Sequence, residues 1–491
     1  MIADSNVALY KMKTAAYPIG NPTFRPSDRF PEYPFEEISK NDNEVYRAVR
    51  ESLFLMGLDA EHYNTKNWNP FYELIKPGNI VLLKPNLVMD YNQNKKGGTE
   101  CLYTQPSVVA AVVDFVSIAL NGTGKIFIGD APMQSCSFNN LLKESGYKEL
   151  LDFYKKKGLQ IEIVDFRELT SKKEYGILIP TINQNSKGTV VNLGEKSEFY
   201  GAKEDSSRYR ITSYDPRILP IHHSGPTQEY YISNYLLSAD VVINMPKPKT
   251  HRKAGITGAL KNLVGINVRK EFLPHHTKGD SETGSGDEYK DKSILMSVLS
   301  NLCDFENLCI AKKNYACFYI AKIFEKCILY VIKSIWGKKE DVFVEGSWYG
   351  NHTISRTIAD LNKILFYADK KGKIQDTIQR KSFIVADMVI SGEQEGPVAP
   401  SPKKIGIIAA GSNPLYFDEV ITTLMGFDIN KIPTLNCLRN TKQLILSSED
   451  VSSIILNSNV SEYAGKRISE IKRTDLFNFE PTLGWKGHIE L

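Results

Sequence analysis

Short apolar runs that end in polar residues recur along the chain. Ile80 to Leu83 leads into Lys84, Pro85 and Asn86, and Ile126 to Ile128 into Gly129 and Asp130. Ile161 to Val164 leads into Asp165, Val241 to Ile243 into Asn244, Phe383 to Val385 into Asp387, and Ile405 to Ala409 into Gly411, Ser412 and Asn413. Short, bounded and rich in β-branched residues, these runs read as buried strands. Helical patterns lie between them, over Ser107 to Leu120 with Pro106 just ahead, and over Phe138 to Lys157. Strands alternating with such helices predict βαβ units, hence an α/β fold with a mainly parallel sheet and flanking helices. Ligands of such sheets bind beyond the C-terminal strand ends, where the polar residues collect.

Two regions break the alternation. Residues 174–225 form a polar excursion with few apolar runs. Residues 278–345 read as an insertion that opens with KGDSETGSGDEYK, a Gly/Ser/Asp-rich loop expected to be mobile. The α/β core is expected over 76–270 and 346–448, with an N-terminal extension over 1–75 and a C-terminal tail over 449–491. A length of 491 residues suits two or three domains, or one large α/β domain with insertions.

The insertion also carries YACFYIAKIFEKCILYVIKSIW, from Tyr315 to Trp336. It lacks the run of about 18 uncharged apolar residues that spanning a bilayer needs. At helical pitch Lys322, Lys326 and Lys333 fall within about 40° of one another, opposite a wide apolar face. Such a helix suits a membrane interface, a partner seam or packing on the protein body.

Charge narrows the function classes. The net charge of +4 is small for this length and argues against general nucleic-acid binding. The seven cysteines are scattered without a CxxC pair, so no local zinc or iron–sulfur motif is present, and a reducing cytoplasm suits them best. The basic charge is local. In ADVVINMPKPKTHRKAGITGALKNLVGINVRK (239–270), Lys247, Lys249, His251, Arg252, Lys253, Lys261, Arg269 and Lys270 follow Asp240 with no further acid. A strand ending in a cationic, Gly-containing turn before a short helix around Leu260 to Val264 is a good anion site. Solvated surface is the plain alternative for such lysines. Asn262 and Lys261, set within the apolar GALKNLVGI, argue against it.

Several residues could carry chemistry. His251 is the best acid/base candidate, because nearby lysines or a carboxylate can tune its pKa. Asp130, Glu393 and Glu395 could act on protons or hold a divalent metal, although each taken singly also suits a cap or an ion pair. The segment DMVISGEQEGP (387–397) reads as a glycine-containing loop that closes over the ligand. His352, Arg356 and Asp360 share a helix face, either toward the cleft or as a solvated stripe with an Arg356–Asp360 pair. His222–His223 and His275–His276 lack companions at metal spacing and are not read as metal sites.

The pieces LLKPNLV (82–88), IGDAP (128–132), DVVINMPKPKTHRKAGITGALKNLVGIN (240–267) and VADMVISGEQEGPVAPSPKKIGIIAAGSNPLYFDEV (385–420) together resemble the DUF362 family. GDEY (286–289) and WYGNHTISRTIADLNKILFYADKKGKI (348–374) resemble its subgroup found among surface-polysaccharide biosynthesis genes. The ferredoxin-like module of many members is absent, and with it support for electron transfer. A second resemblance, His251–x3–Gly255–Ile256–Thr257–Gly258–x2–Lys261–x3–Gly265, is to the nickel-pincer lactate racemase family. There it implies a histidine acid/base and a lysine carrying a covalent nickel cofactor. Asp130 stands where that family has its second catalytic histidine, so symmetrical two-histidine racemisation is not implied.

The expectation is therefore a cytoplasmic enzyme, membrane-associated if the 315–336 helix meets lipid. A small anionic substrate would be held by Lys84, Asn86, Asn244, Lys247, Lys249, Lys261, Asn262 and Glu395, with His251, Asp130 and Glu393 handling protons or a metal. The alternative is a non-catalytic anion-binding or scaffold protein of a membrane-side complex. No Walker A loop, GxGxxG fingerprint or GxSxG elbow occurs in context to name a reaction.

Overall fold

A computed structural model of the chain describes residues 5–20, 24–174, 177–336, 345–447 and 451–491. Its centre is a ten-stranded sheet: β1 (Asn6–Lys11), β2 (Ile80–Pro85), β3 (Lys125–Asp130), β4 (Ile161–Asp165), β5 (Val241–Met245), β6 (Lys249–His251), β7 (Gly255–Thr257), β8 (Lys381–Glu395), β9 (Ala399–Gly411) and β10 (Ile455–Ser458). The order is β10-β1-β9-β8-β5-β2-β3-β4, with β6 paired to β7 and to β8. Along that path only β9 runs against the others. The fold is thus α/β with a mostly parallel sheet, and all six expected strands lie in it.

Successive residues feed opposite faces of the sheet, as the strand period of two requires. Leu82, Val242 and Ile384 enter one hydrophobic core, and Val81, Ile243 and Val385 the other. Helices α1 (Glu44–Leu55) and α2 (Pro106–Leu120) cover the second face. Pro106 is the first residue of α2, where its missing N–H costs nothing. The helix expected over Phe138 to Lys157 is two helices, Phe138–Ser145 and Tyr147–Lys156, broken where Gly146 takes a left-handed cap at φ 89°.

Three further stretches take on tertiary roles. Within the stretches read as N-terminal extension and C-terminal tail, β1 and β10 belong to the sheet and Trp485 is fully buried. The segment 387–397 is not a loop over most of its length. It is the end of β8, whose hairpin with β9 turns at Gly396 to Val398, and alternating glycines had disguised it. The KGDSETGSGDEYK segment is tied down by Asp287, which accepts from the backbone N–H groups of Thr277, His352 and Thr353.

Candidate functional site

The C-terminal ends of β2, β3 and β5 meet beside the β6–β7 hairpin and enclose a cavity of about 250 Å³. Its walls include Asn86, Asp130, His251, Lys261 and Asn262, all expected site residues. They also include Lys253, Lys270 and His275.

Beneath the wall lies a dry polar layer. Lys84 and Asp130, both essentially buried, form an ion pair at 2.7 Å. The other Asp130 bonds come from the backbone N–H of Leu87 at 2.7 Å and of Ala131 at 2.8 Å. Lys84 also donates to Asn262 Oδ1 at 3.1 Å, and Asn262 Nδ2 donates to Asn244 Oδ1 at 2.8 Å. Gly265 makes this layer possible, because a Cβ there would sit 1.8 Å from Asp130 Oδ1.

The expected anion-holding lysines separate into two groups. Lys84, Lys247 and Lys249 are fully buried and face protein. Lys247 pairs with Asp387 at 2.9 Å and bonds Tyr17, while Lys249 donates to Asn86 Oδ1 and to the Lys247 carbonyl. Burial holds Lys249 well below the ordinary lysine value, and Lys247 beside it adds to the shift. Lys261 differs: it faces the cavity, and no hydrogen bond or ion pair reaches its ammonium among the described residues. Burial, with Lys270, Lys84 and Lys253 nearby, lowers it to about 7 against the pull of Asp130. Burial lowers Lys253 and Lys270 to about 8. Lys253 donates to Thr212 Oγ1 and Lys270 to the Ala131 carbonyl, both at 3.1 Å.

The helix N-terminus expected to hold the anion is already occupied. Helix α3 (Ala259–Asn262) presents the N–H groups of Ala259 and Leu260 to Asp418 at 2.6 and 2.9 Å. A carboxylate of the chain itself thus fills that dipole end, and side-chain ammonium groups are left to bind a ligand.

Two histidines face the cavity with opposite tautomers. His251 Nδ1 accepts from the backbone N–H groups of Lys253 and Ala254, at 3.1 and 3.2 Å, so its proton sits on Nε2. His275 Nδ1 lies 2.8 Å from the Leu273 carbonyl and must donate to it, so its Nε2 carries a lone pair. Burial holds both well below the ordinary histidine value, with the flanking lysines adding to the shift, so both are neutral near pH 7. His251 is arranged to donate a hydrogen bond and His275 to accept a proton.

Glu393 and Glu395 lie off the cavity wall. Glu393 pairs with Lys403 at 2.7 Å and accepts from Glu480 N, and Glu395 accepts from Leu483 N. They fasten the β8–β9 hairpin to the C-terminal segment, and Pro397 and Val398 at its turn reach the cavity. The face carrying Arg356 and Asp360 on the helix Thr353–Tyr367 also lies elsewhere. Arg356 pairs with Glu204 at 2.8 Å, while Asp360 accepts from Ser197, Glu198 N and Tyr230. Among the described residues no three His, Cys, Asp or Glu side chains converge as a metal cluster.

Sequence reasoning missed His275, the cavity-lining positions of Lys253 and Lys270, and the wall segment Ile211 to Tyr214. That wall comes from the polar excursion. The only local signal for Lys253 and Lys270 was their membership of the acid-free basic run.

A family described as "Domain of unknown function (DUF362)" matches residues 81–184 and 201–423. The chain belongs to the DUF362 family. Over 191 residues it is 31% identical to a relative described as a thylakoid-associated protein of Synechocystis sp.. That match covers 39% of this chain and 40% of the relative, so the chain spans less than half the length of the relative it matches. No solved structure matches the chain.

One prediction arises from the hairpin that carries His251. Gly255 has φ 76°, and a Cβ there would come within 2.9 Å of the Trp485 ring, whose Nε1 donates to the Arg252 carbonyl at 2.7 Å. Gly255→Val should therefore lower stability by about 2–3 kcal/mol, read as a reduced midpoint of urea unfolding.

Proposed function

We propose that this protein is an enzyme that binds a small anionic molecule in the cavity, takes a proton from it at His275 Nε2 and steadies the charge left behind with the His251 Nε2–H. The observation that carries the reading is Lys261: a cavity-facing ammonium with no hydrogen-bond or ion-pair partner among the described residues, flanked by Lys253 and Lys270. Its one close carboxylate, Asp130, is already engaged by Lys84 and two backbone N–H groups. Lys253 is buried and Lys261 and Lys270 half-buried around one space, and the hydrogen-bond partners of their ammonium groups among the described residues are neutral oxygens, an arrangement that costs stability unless an anion completes it.

The likeness to the polysaccharide-associated subgroup supports a sugar phosphate, nucleotide sugar or polyprenyl-linked sugar as substrate. A cavity of about 250 Å³ favours the phosphate-bearing end of such a molecule over a whole nucleotide sugar. Met133, Leu178, Ile211 and Val264 on the wall suit an apolar portion next to the charge. The thylakoid association in the relative's name supports a membrane-side setting.

The test is calorimetric titration with inorganic phosphate and pyrophosphate. The groups facing Lys261 are Lys84, Lys253, Lys270, Arg252, His251, His275, Asp130 and Glu345. An anion favours the protonated lysines, so binding should take up protons. Affinity should be highest below pH 7 and fall as pH rises through about 7 to 8. Affinity that is flat across this range in wild type would sink the anion-site reading. Catalysis is tested separately by complementation of a deletion strain. His251→Gln and His275→Gln should each fail while still binding phosphate. Full complementation by both would leave a non-catalytic anion-binding protein.

A second reading is favoured by one observation: Lys261 is unpartnered and largely deprotonated just above neutrality, as a lysine modified by a covalent cofactor must be. Its residue types fit attachment at Lys261 with His251 as acid/base. Denaturing mass spectrometry of protein from its native host, with elemental analysis for nickel, decides it by an adduct on the Lys261 peptide.

A further inference from the structure

The insertion contains two helices, α4 (Ile294–Ala311) and α5 (Tyr315–Trp336), packed as an antiparallel hairpin. A helix pair on a water-facing surface turns its charges outward and its apolar residues inward. Here the sense is reversed. The acids of these helices are Asp304, Glu306 and Glu325. Asp304 pairs with Arg210 and Lys278 of the protein body, at 2.9 and 2.5 Å. Lys322 pairs with Glu306, which is buried, across the two helices and with Glu325 one turn along α5. The expected outward basic stripe therefore loses Lys322, while the side chain of Lys333 lies outside the described residues.

The large residues left facing outward are mostly apolar, with Ser297, Asn301 and Ser334 exposed among them. On α5, Ile320, Ile323, Phe324 and Tyr330 are 57, 63, 60 and 74% exposed, at spacings that share one helix face. On α4, Ile294, Val298 and Phe305 are 83, 45 and 49% exposed, again on one face. No acidic side chain of either helix stands on this surface. Exposed lysines border it, Lys312 and Lys313 at the turn and Lys326 on its flank.

We infer that the outward face of the 294–336 hairpin seats on a lipid surface that carries anionic headgroups. Charge complementarity selects this occupant: the acids are turned inward and lysines rim an apolar face, the pattern of a helix lying in the headgroup region. Helix α4 is long and apolar enough to cross a membrane. However, Asp304 and the Ser300–Glu288 hydrogen bond fasten it to the protein body, so the hairpin lies flat. The opposite, buried side of the hairpin approaches the cavity: Ile177 packs there on Cys309 and Phe318, and its neighbour Leu178 lines the cavity wall.

The test is co-sedimentation of the full chain with vesicles of phosphatidylcholine alone and of phosphatidylcholine mixed with phosphatidylglycerol. Wild type should pellet with the mixed vesicles. The double variant Ile323→Asp/Phe324→Asp should bind at least about tenfold more weakly, with unchanged thermal unfolding, because both positions are exposed. Lys312→Glu/Lys313→Glu should reduce binding to mixed vesicles toward that on neutral ones. Absence of co-sedimentation overturns the inference. So does a wild-type dimer in light scattering that the Ile323→Asp/Phe324→Asp variant dissociates, since the face would then belong to a second copy. Phosphate binding in the cavity should be unchanged in these variants, so the two readings fail independently.

Discussion

Lys261→Met is expected to weaken phosphate binding by about tenfold to a hundredfold, the worth of one charge-assisted hydrogen bond, while making the empty protein more stable. The two effects have one cause. The folded protein lowers Lys261 from the ordinary 10.5 to about 7, so folding disfavours its protonated form. Between these values the unfolded chain binds more protons than the folded one, and stability rises with pH through that window. The penalty is fully present below about pH 7 and gone above about 10.5. Methionine removes it while keeping most of the volume. Lys261→Met should therefore exceed wild type by a few kcal/mol at pH 6, and the gain should vanish toward pH 10.5. Urea unfolding at several pH values reads one effect and calorimetry the other. A variant that loses stability at pH 6 would mean that Lys261 is a structural residue, and the anion-site reading would fall with it.

The second large effect is expected at Gly265. Gly265→Ala should cost about 3–5 kcal/mol, because its Cβ would displace Asp130 and leave the Lys84 ammonium buried without its partner. Asp130→Asn should show a similar deficit by removing the charge alone. Lys84 is already lowered by burial, and without Asp130 it falls further. Its deficit should thus be largest at neutral pH and narrow as pH rises toward 10.5. The paired variant Lys84→Met/Asp130→Asn should recover much of the loss, since both charges are removed together while an amide oxygen can still accept from the backbone N–H groups of Leu87 and Ala131. If Gly265→Ala unfolds at the wild-type urea midpoint, the ion pair is not held by that close approach.

Strands and helices were legible where the deciding forces are local. Val241 to Ile243 reads as buried in any sheet, and Pro106 starts a helix wherever a helix can begin. Legibility failed where a local rule met a distant partner. The glycines of 387–397 suggest a loop, yet pairing with β9 extends the strand through Gly392 opposite Pro402. Residues 6–11 and 455–458 read as appendages, yet each fills a sheet position that only the other can complete.

The candidate site divides in the same way. The sequence by itself determined that a cationic segment carrying His251, Lys261 and Asn262 lies at a strand end, because apolar periodicity and residue type are written locally. Only the tertiary structure decided that Lys84, Lys247 and Lys249 face protein, that Asp418 occupies the helix N-terminus, and that Lys253, Lys270 and His275 share a cavity with Lys261. The reason is physical. The charge of a lysine is a property of the residue, but its partner, its burial and hence its pKa are properties of groups far away in the chain.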